Sequence, residues 1–349
     1  MKKQHRMQCY AAPLEGITGY IYRNAHHKFF GGADKYFTPF ITPKPKKGLN
    51  TREKNDILPE HNKELPVVPQ ILTNKAEDFI KVAQKIEELG YKEVNLNLGC
   101  PSGTVVSKKK GSGFLSDLDG MKTFFDEVFS KVNIDVSVKT RLGMDEPGEI
   151  KELIALYNQF PISEVIIHAR VREDYYKKPV NHEAFAEGFS LSEHPVCYNG
   201  DIFTAKDAAM LTEKFPEVSA IMVGRGMIAN PQLTEIFGCE MNLNSAVLKE
   251  IVCVDRLASQ TDMSLDSTLL KEIEPDYVRW KAFLDELCFG YEHIMSGGRN
   301  VLFKLKEVWS YMIPFFPESE RYGKKIKKAK TVTEYQAIVN ALFREVGVH

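Results

Sequence analysis

Long hydrophobic runs are what this sequence most plainly lacks: no window in its 349 residues approaches the ~18 consecutive apolar residues of a membrane helix. The N-terminal MKKQHRMQCY is basic but runs into AAPLEGITG without the roughly 7–15-residue apolar stretch of a secretion signal. A cytoplasmic chain with no membrane partner is expected. Cysteine is scarce as well. Cys9, Cys100, Cys197, Cys239, Cys253 and Cys288 form no C-x-x-C pair, have no close histidine partners and show no iron–sulfur spacing. That excludes a disulfide scaffold, and reduced thiols with no metal centre are expected. Charge of one sign is missing too: 46 basic against 47 acidic residues leave a formal charge of −1, so a polyanion has to be held by a local patch.

What is present is ordinary globular material, 43% hydrophobic and 27% charged. The length suits two domains of about 150 residues, or one α/β barrel of about 250 residues with an appendage. Before residue 240, short β-branched or apolar runs at 8–12, 35–38, 67–72, 93–98, 135–140, 164–168, 196–198 and 220–223 alternate with longer connecting segments. One of these, 74–89, sets Ala76, Phe79, Ile80, Ala83, Ile86 and Leu89 on one helical stripe, and Gly90 stops it. A doubly wound sheet would alternate in the same way but would want G-x-G-x-x-G after its first strand, and APLEGITG is not that. The expected fold class is therefore α/β, a (βα)8 TIM barrel over 1–240, followed over 241–349 by a small C-terminal all-α helical bundle. Its helices are read at 246–257, 275–295, 299–312 and 332–343. Between 299 and 330 nine basic residues face three acidic ones, beside Trp309, Tyr311, Phe315, Phe316 and Tyr322, which base stacking or core packing can each claim.

A parallel barrel keeps its active site at the carboxyl ends of its strands. Those ends carry Pro13, Gln70, Asn97 with Cys100, Lys139 with Arg141, His168 with Arg170, Asn199-Gly200-Asp201, and Gly224-Arg225-Gly226. Lys139 alone reads equally as a snorkelling surface residue and His168 as a hydrogen-bonded core histidine; together the ends mark a site. The glycines after strands seven and eight let backbone N–H groups approach a phosphate, with Arg225 adding charge, although tight turns explain them equally well.

In order and spacing, APLEGITG, VPQIL, LNLGCPSGTVVSKKKGSG, VKTRLG, IHAR, YNGDI and VGRGMIANP closely resemble the flavin-dependent tRNA-dihydrouridine synthases, from about Cys9 to Leu233. The resemblance implies FMN in the barrel mouth, its phosphate on Asn199, Gly200, Asp201, Gly224 and Arg225. Its ring would lie against Pro13, Leu14 and Glu15 and be touched by Gln70, Lys139 and His168. It implies Cys100 as the general acid that protonates the base, Asn97 on the uracil, and Arg141, Arg170 and Tyr176 as substrate contacts. NADPH or NADH is the implied reductant and tRNA the implied partner, reduced at the C5–C6 bond of a uridine by a chain expected to act as a monomer. Ribosomal RNA, or a small molecule as in dihydroorotate dehydrogenase-like FMN barrels, is the alternative substrate. The basic tail and the loop carrying Lys108, Lys109 and Lys110 are expected to hold RNA backbone, and a chain cut before Ala246 to leave a flavin-binding barrel. Ala169, Val171 and Gly113-Phe114 depart from the family's usual residues.

Overall fold

A computed structural model of the chain describes residues 7–44, 48–235 and 275–348. Its strands are β1 (Gln8–Ala11), β2 (Lys35–Phe37), β3 (Val67–Val68), β4 (Gln70–Ile71), β5 (Glu93–Asn97), β6 (Asp135–Arg141), β7 (Val165–His168), β8 (Val196–Asn199) and β9 (Ala220–Val223). All pair in parallel in the order β3-β2-β1-β9-β8-β7-β6-β5-β4. The run expected as one strand at 67–72 is two pieces, because Pro69 has no N–H to give the ladder. It still works as one stave: the Pro69 carbonyl accepts from Asn95 N (2.9 Å), while Thr38 N donates to Val68 O (3.1 Å) and Ile41 N to Gln70 O (2.7 Å). The sheet thus closes on itself as eight staves.

Tyr10, Phe37, Val68, Ile166, Cys197, Ala220 and Met222 form one buried cluster, while the other faces of the strands join a larger core shared with the helices. Strands buried on both sides read as continuous apolar runs, which is why each was visible in the sequence. The helix expected at 74–89 is Ala76–Glu88. Gly90 (φ 92°) ends it, its N–H reaching Glu87 O at 2.9 Å and Tyr91 N reaching Ile86 O at 3.4 Å, the paired bonds of a Schellman cap.

Beyond the barrel lie helices Tyr277–Ile294, Gly298–Met312, Ser319–Lys328 and Val332–Glu345. The expected helix at 246–257 and the boundary near 240 lie outside the described residues. Ser319–Lys328 was not foreseen as a helix. Only Tyr322 and Ile326 of its ten residues are buried, one turn apart, so its apolar stripe is too thin to stand out among five cations. The tail's aromatics resolve mostly as core: Trp309, Phe316 and Tyr322 are buried, and Trp309 Nε1 donates to Tyr335 Oη at 2.8 Å.

The helical unit is seated on the barrel. Phe283 meets Tyr22 and Phe30 edge-on, with ring centroids 5.5 and 5.3 Å apart. Trp280 Nε1 donates to Gln232 Oε1 at 2.7 Å. A Cβ at Gly290 would stand 2.8 Å from Ile21 Cγ2, so helix 277–294 lies against helix Tyr20–Phe29 at a distance only glycine permits. Among the described residues no helix is long and apolar enough to cross a membrane.

Candidate active site

A cavity of about 290 Å³ opens at the carboxyl ends of the strands, against the roughly 10–15 Å³ that one water needs. It is too large for a packing defect. Every residue nominated from the sequence lines it, with the single exception of Arg170.

The wall at Pro13, Leu14 and Glu15 is held from behind. Leu14 N donates to Thr18 Oγ1 (2.8 Å), and Thr18 O accepts from Arg23 Nη1 (2.8 Å). Arg23, fully buried, also donates through Nη2 to Asp56 O (2.7 Å) and Asn62 Oδ1 (3.0 Å), with the Asp56 carboxylate 3.5 Å from Nη1. A buried cation with this many acceptors fixes the loop's shape. Across β4, β5 and β6 runs a row of amides: Gln70 Nε2 donates to Asn95 Oδ1 (2.8 Å), Asn95 Nδ2 to Ser137 Oγ (2.9 Å), and Asn97 Nδ2 to Gln70 Oε1 (2.7 Å). Anchored by Asn97 Oδ1, which accepts from two backbone N–H groups, the row fixes which end of each amide is which and leaves Gln70 and Asn97 one N–H apiece.

Asn97 also makes the turn that carries the thiol. Its Oδ1 accepts from Gly99 N (3.1 Å) and Cys100 N (3.0 Å), so what Asn97 can offer a ligand is a donor, not an acceptor. The Cys100 carbonyl accepts from both Ser112 N (3.1 Å) and Ser112 Oγ (2.9 Å), which ties the loop of Lys108, Lys109 and Lys110 back to the cysteine. At Gly111 (φ 56°) a Cβ would lie 2.8 Å from Cys100 O, so a side chain there would push the cysteine aside. Burial raises the Cys100 thiol above its ordinary value; the Ser102 backbone, Arg141 and Lys139 pull the other way. The thiol is therefore protonated at neutral pH.

Lys139 Nζ donates to Asn199 Oδ1 at 2.7 Å, and Asn199 Nδ2 to Met222 O at 2.8 Å. Burial, assisted by nearby Arg141, brings its ammonium down to about 7. His168 Nε2 lies 3.2 Å from Arg170 Nη1, and a guanidinium only donates, so Nε2 accepts and Nδ1 carries the ring proton. Burial and then the cations Arg141, Lys139, Arg170 and Arg225 hold the imidazole well below its usual range, hence neutral.

Arg170 sits behind the wall. Its Nε donates to Lys178 O (2.6 Å) and its Nη1 to Asp201 Oδ1 (3.1 Å), with Nη2 also on Asp201. Asp201 Oδ1 accepts from Arg225 Nη2 as well (2.6 Å). Tyr176 bridges the two halves of the site: Arg141 and Arg225 stand 5.3 and 5.0 Å from its ring centroid and the His168 ring 5.6 Å away. Two glycines are dictated by close approach. A Cβ at Gly226 would fall 2.0 Å from Ile202 O, and one at Gly200 2.5 Å from Tyr198 Oη.

Several lining residues were missed. Pro39, Phe40 and Phe203 follow strand ends, and the criterion that found their neighbours would have found them. Glu307 and Tyr311 could not be found in this way, because they come from helix Gly298–Met312 of the tail. That helix is docked by Lys304 Nζ, which donates to Gly16 O, in the loop that follows Glu15.

Gln70, Asn97, Lys139 and His168 each keep a donor on this cavity, which suits a ring rimmed with carbonyls and unprotonated ring nitrogens, and a protonated thiol lies on the same wall. A parallel barrel with ionisable groups gathered at the carboxyl ends of its strands has the layout of an enzyme. The sequence model of the family described as Dihydrouridine synthase (Dus) matches residues 10–278. The tRNA-dihydrouridine synthase B of Pasteurella multocida is 28% identical over 251 residues, 70% of this chain and 73% of that one. The tRNA-dihydrouridine(16) synthase of Pseudomonas putida is 30% identical over 238 residues, 65% and 72%. The chain belongs to the dihydrouridine synthase family of oxidoreductases.

Proposed function

We propose that this protein reduces the C5–C6 double bond of a uridine in tRNA, using FMN with NADPH as electron donor, and that Cys100 supplies the proton. The observation that carries the reading is the placement of a half-buried, protonated thiol on the same cavity as Lys139 and His168. The cavity fits FMN on its own chemistry: the second N–H of Gln70, Nδ1–H on His168 and the Lys139 ammonium match a ring of acceptors, and Arg225 beside Gly200 and Gly224 matches a phosphate. When bound, the flavin would take hydride from NADPH and give it to C6. The chain does the rest. Cys100 Sγ–H hands its proton to C5 and recovers one from solvent, Asn97 and Tyr176 orient the base, and neutral His168 donates through Nδ1. Arg170 acts as a positioning residue, fixing the His168 tautomer and holding Asp201 beside Arg225.

The tRNA would lie across the mouth, gripped by the barrel rim and by the helical unit taken as 241–349, with the target uridine turned out of its loop to reach the cavity. Purified protein incubated with unmodified tRNA, with rRNA and with free uridine, FMN and NADPH tests this by mass spectrometry. A gain of about 2 Da confined to tRNA uridine is expected, since two hydrogens are added; a gain in rRNA or free uridine alone would sink the tRNA assignment.

A pH signature follows from Lys139. With its ammonium at about 7, half is neutral at that pH in the free protein, and an anionic ligand favours the charged form. Above pH 7 flavin binding then takes up a proton, so affinity falls as pH rises, by at most about tenfold per unit. Calorimetry in buffers of different ionisation enthalpy measures the uptake, and Lys139→Met should remove it.

A further inference from the structure

The tail's flagged aromatics are mostly core, but two phenylalanines that drew no attention in the sequence are the most exposed large apolar residues described: Phe289 at 70% and Phe303 at 69%. A single exposed apolar residue is ordinary. Phe303 differs by where it stands. On helix Gly298–Met312 it precedes Glu307 by four residues and Tyr311 by eight, so the three share one face, about one turn apart. Glu307 and Tyr311 line the cavity mouth, and Phe303 continues their row outward into solvent.

Glu307 says what meets this row. Its carboxylate accepts no hydrogen bond among the described residues, and it stands at the mouth, its oxygens 3.4 and 3.5 Å from a Cβ built on Gly16. A carboxylate at that place repels a phosphodiester, whereas it suits the N–H edge of a base. The exposed cations that would draw phosphates stand on other elements, Lys108 and Lys109 on the loop after β5 and the lysines of helix Ser319–Lys328. Turning a uridine out of a stack also strips its neighbour of a stacking face, which RNA-binding surfaces replace with an aromatic ring.

We propose that Phe303 and Glu307 form a second base subsite at the mouth, taking the nucleobase next to the target uridine, with Phe303 stacked on its face and Glu307 accepting from its edge. This rests on the tRNA reading above.

The test is steady-state kinetics on unmodified tRNA with the full-length flavoprotein. Phe303→Ala should raise KM roughly 5- to 100-fold, the value of one stacked base, and leave kcat at saturating tRNA and flavin reduction by NADPH without RNA within about twofold. Phe303→Trp should restore KM, and Val278→Ala, as exposed but near the far end of the neighbouring helix, should not move it. An unchanged KM for Phe303→Ala, a loss confined to kcat, or a wild-type dimer that Phe303→Ala dissolves would each overturn the subsite. Wild-type protein that forms no dihydrouridine on tRNA would overturn the reading beneath it as well, so the two failures are told apart by the wild-type control.

Discussion

Cys100→Ala is expected to give a yellow protein that NADPH still bleaches and that still binds tRNA, yet turns it over about 10²–10⁴ times more slowly, the worth of a general acid. The substitution removes a sulfur and keeps what positions it. Alanine leaves the backbone N–H on Asn97 Oδ1 and the carbonyl on Ser112, so the turn and the lysine loop behind it stay in place. Because burial raises the thiol, the wild-type rate at saturating FMN should hold through neutral pH and fall as alkaline conditions ionise Cys100; the alanine variant should lack that limb. Stopped-flow bleaching and dihydrouridine yield, measured on the same preparations, separate the two half-reactions. A loss well short of tenfold would mean that water or another group protonates C5. Cys197→Ala is the control: that residue packs in the barrel interior with Tyr10, Ile166 and Met222, so its cost should appear in melting temperature and not in turnover.

The barrel and its cavity were legible because both obey short-range rules. A strand buried on both faces announces itself as an apolar run, and a residue just past its carboxyl end has nowhere to go but the mouth, which is how Lys139, His168 and Asn199 could be gathered from positions far apart in the chain. The same rule errs by one shell at Arg170. It follows β7 as closely as a site residue should, but its long side chain turns back to Asp201 and the Lys178 carbonyl and never reaches the cavity. Glu307 and Tyr311 were beyond the rule altogether, since what brings them to the mouth is the docking of helix Gly298–Met312 on Gly16, a contact between segments almost three hundred residues apart, which leaves no local pattern. Composition left the tail's aromatics open between base stacking and core packing, and the fold decides for packing at Trp309, Phe316 and Tyr322, of which Tyr322 shares its short helix with the cations.

Removing charge from Lys324, Lys325, Lys327 and Lys328 together should weaken tRNA binding and flatten its salt dependence by at most about three units of slope, since each lost phosphate contact removes about 0.7–0.9. All four belong to helix Ser319–Lys328, whose buried side is Tyr322 and Ile326. Their own partners are slight: Lys324 meets Glu320 at 2.5 Å in an exposed pair, and Lys325 stands 5.1 Å from the Tyr322 ring centroid. Exposed pairs of this kind contribute about 0–1 kcal/mol, so glutamine at the four positions should leave the fold intact and kcat on saturating tRNA unchanged. Deleting the tail is a poorer experiment than the composition shift near residue 240 suggests. The cut would uncover Tyr22 and Phe30 and strip Glu307 and Tyr311 from the mouth. It would also discard the buried Trp280, Phe283, Leu284 and Leu287, each worth about 1.5–3 kcal/mol, against a total stability of about 5–15 kcal/mol. A chain ending before Ala246 is accordingly expected to aggregate and to say nothing about RNA. The four-residue variant isolates the electrostatics, read by filter binding from about 50 to 200 mM salt. If its affinity and slope match the wild type, the helix face is merely solvated and the tRNA is held by Lys108, Lys109 and Lys110 on the barrel rim.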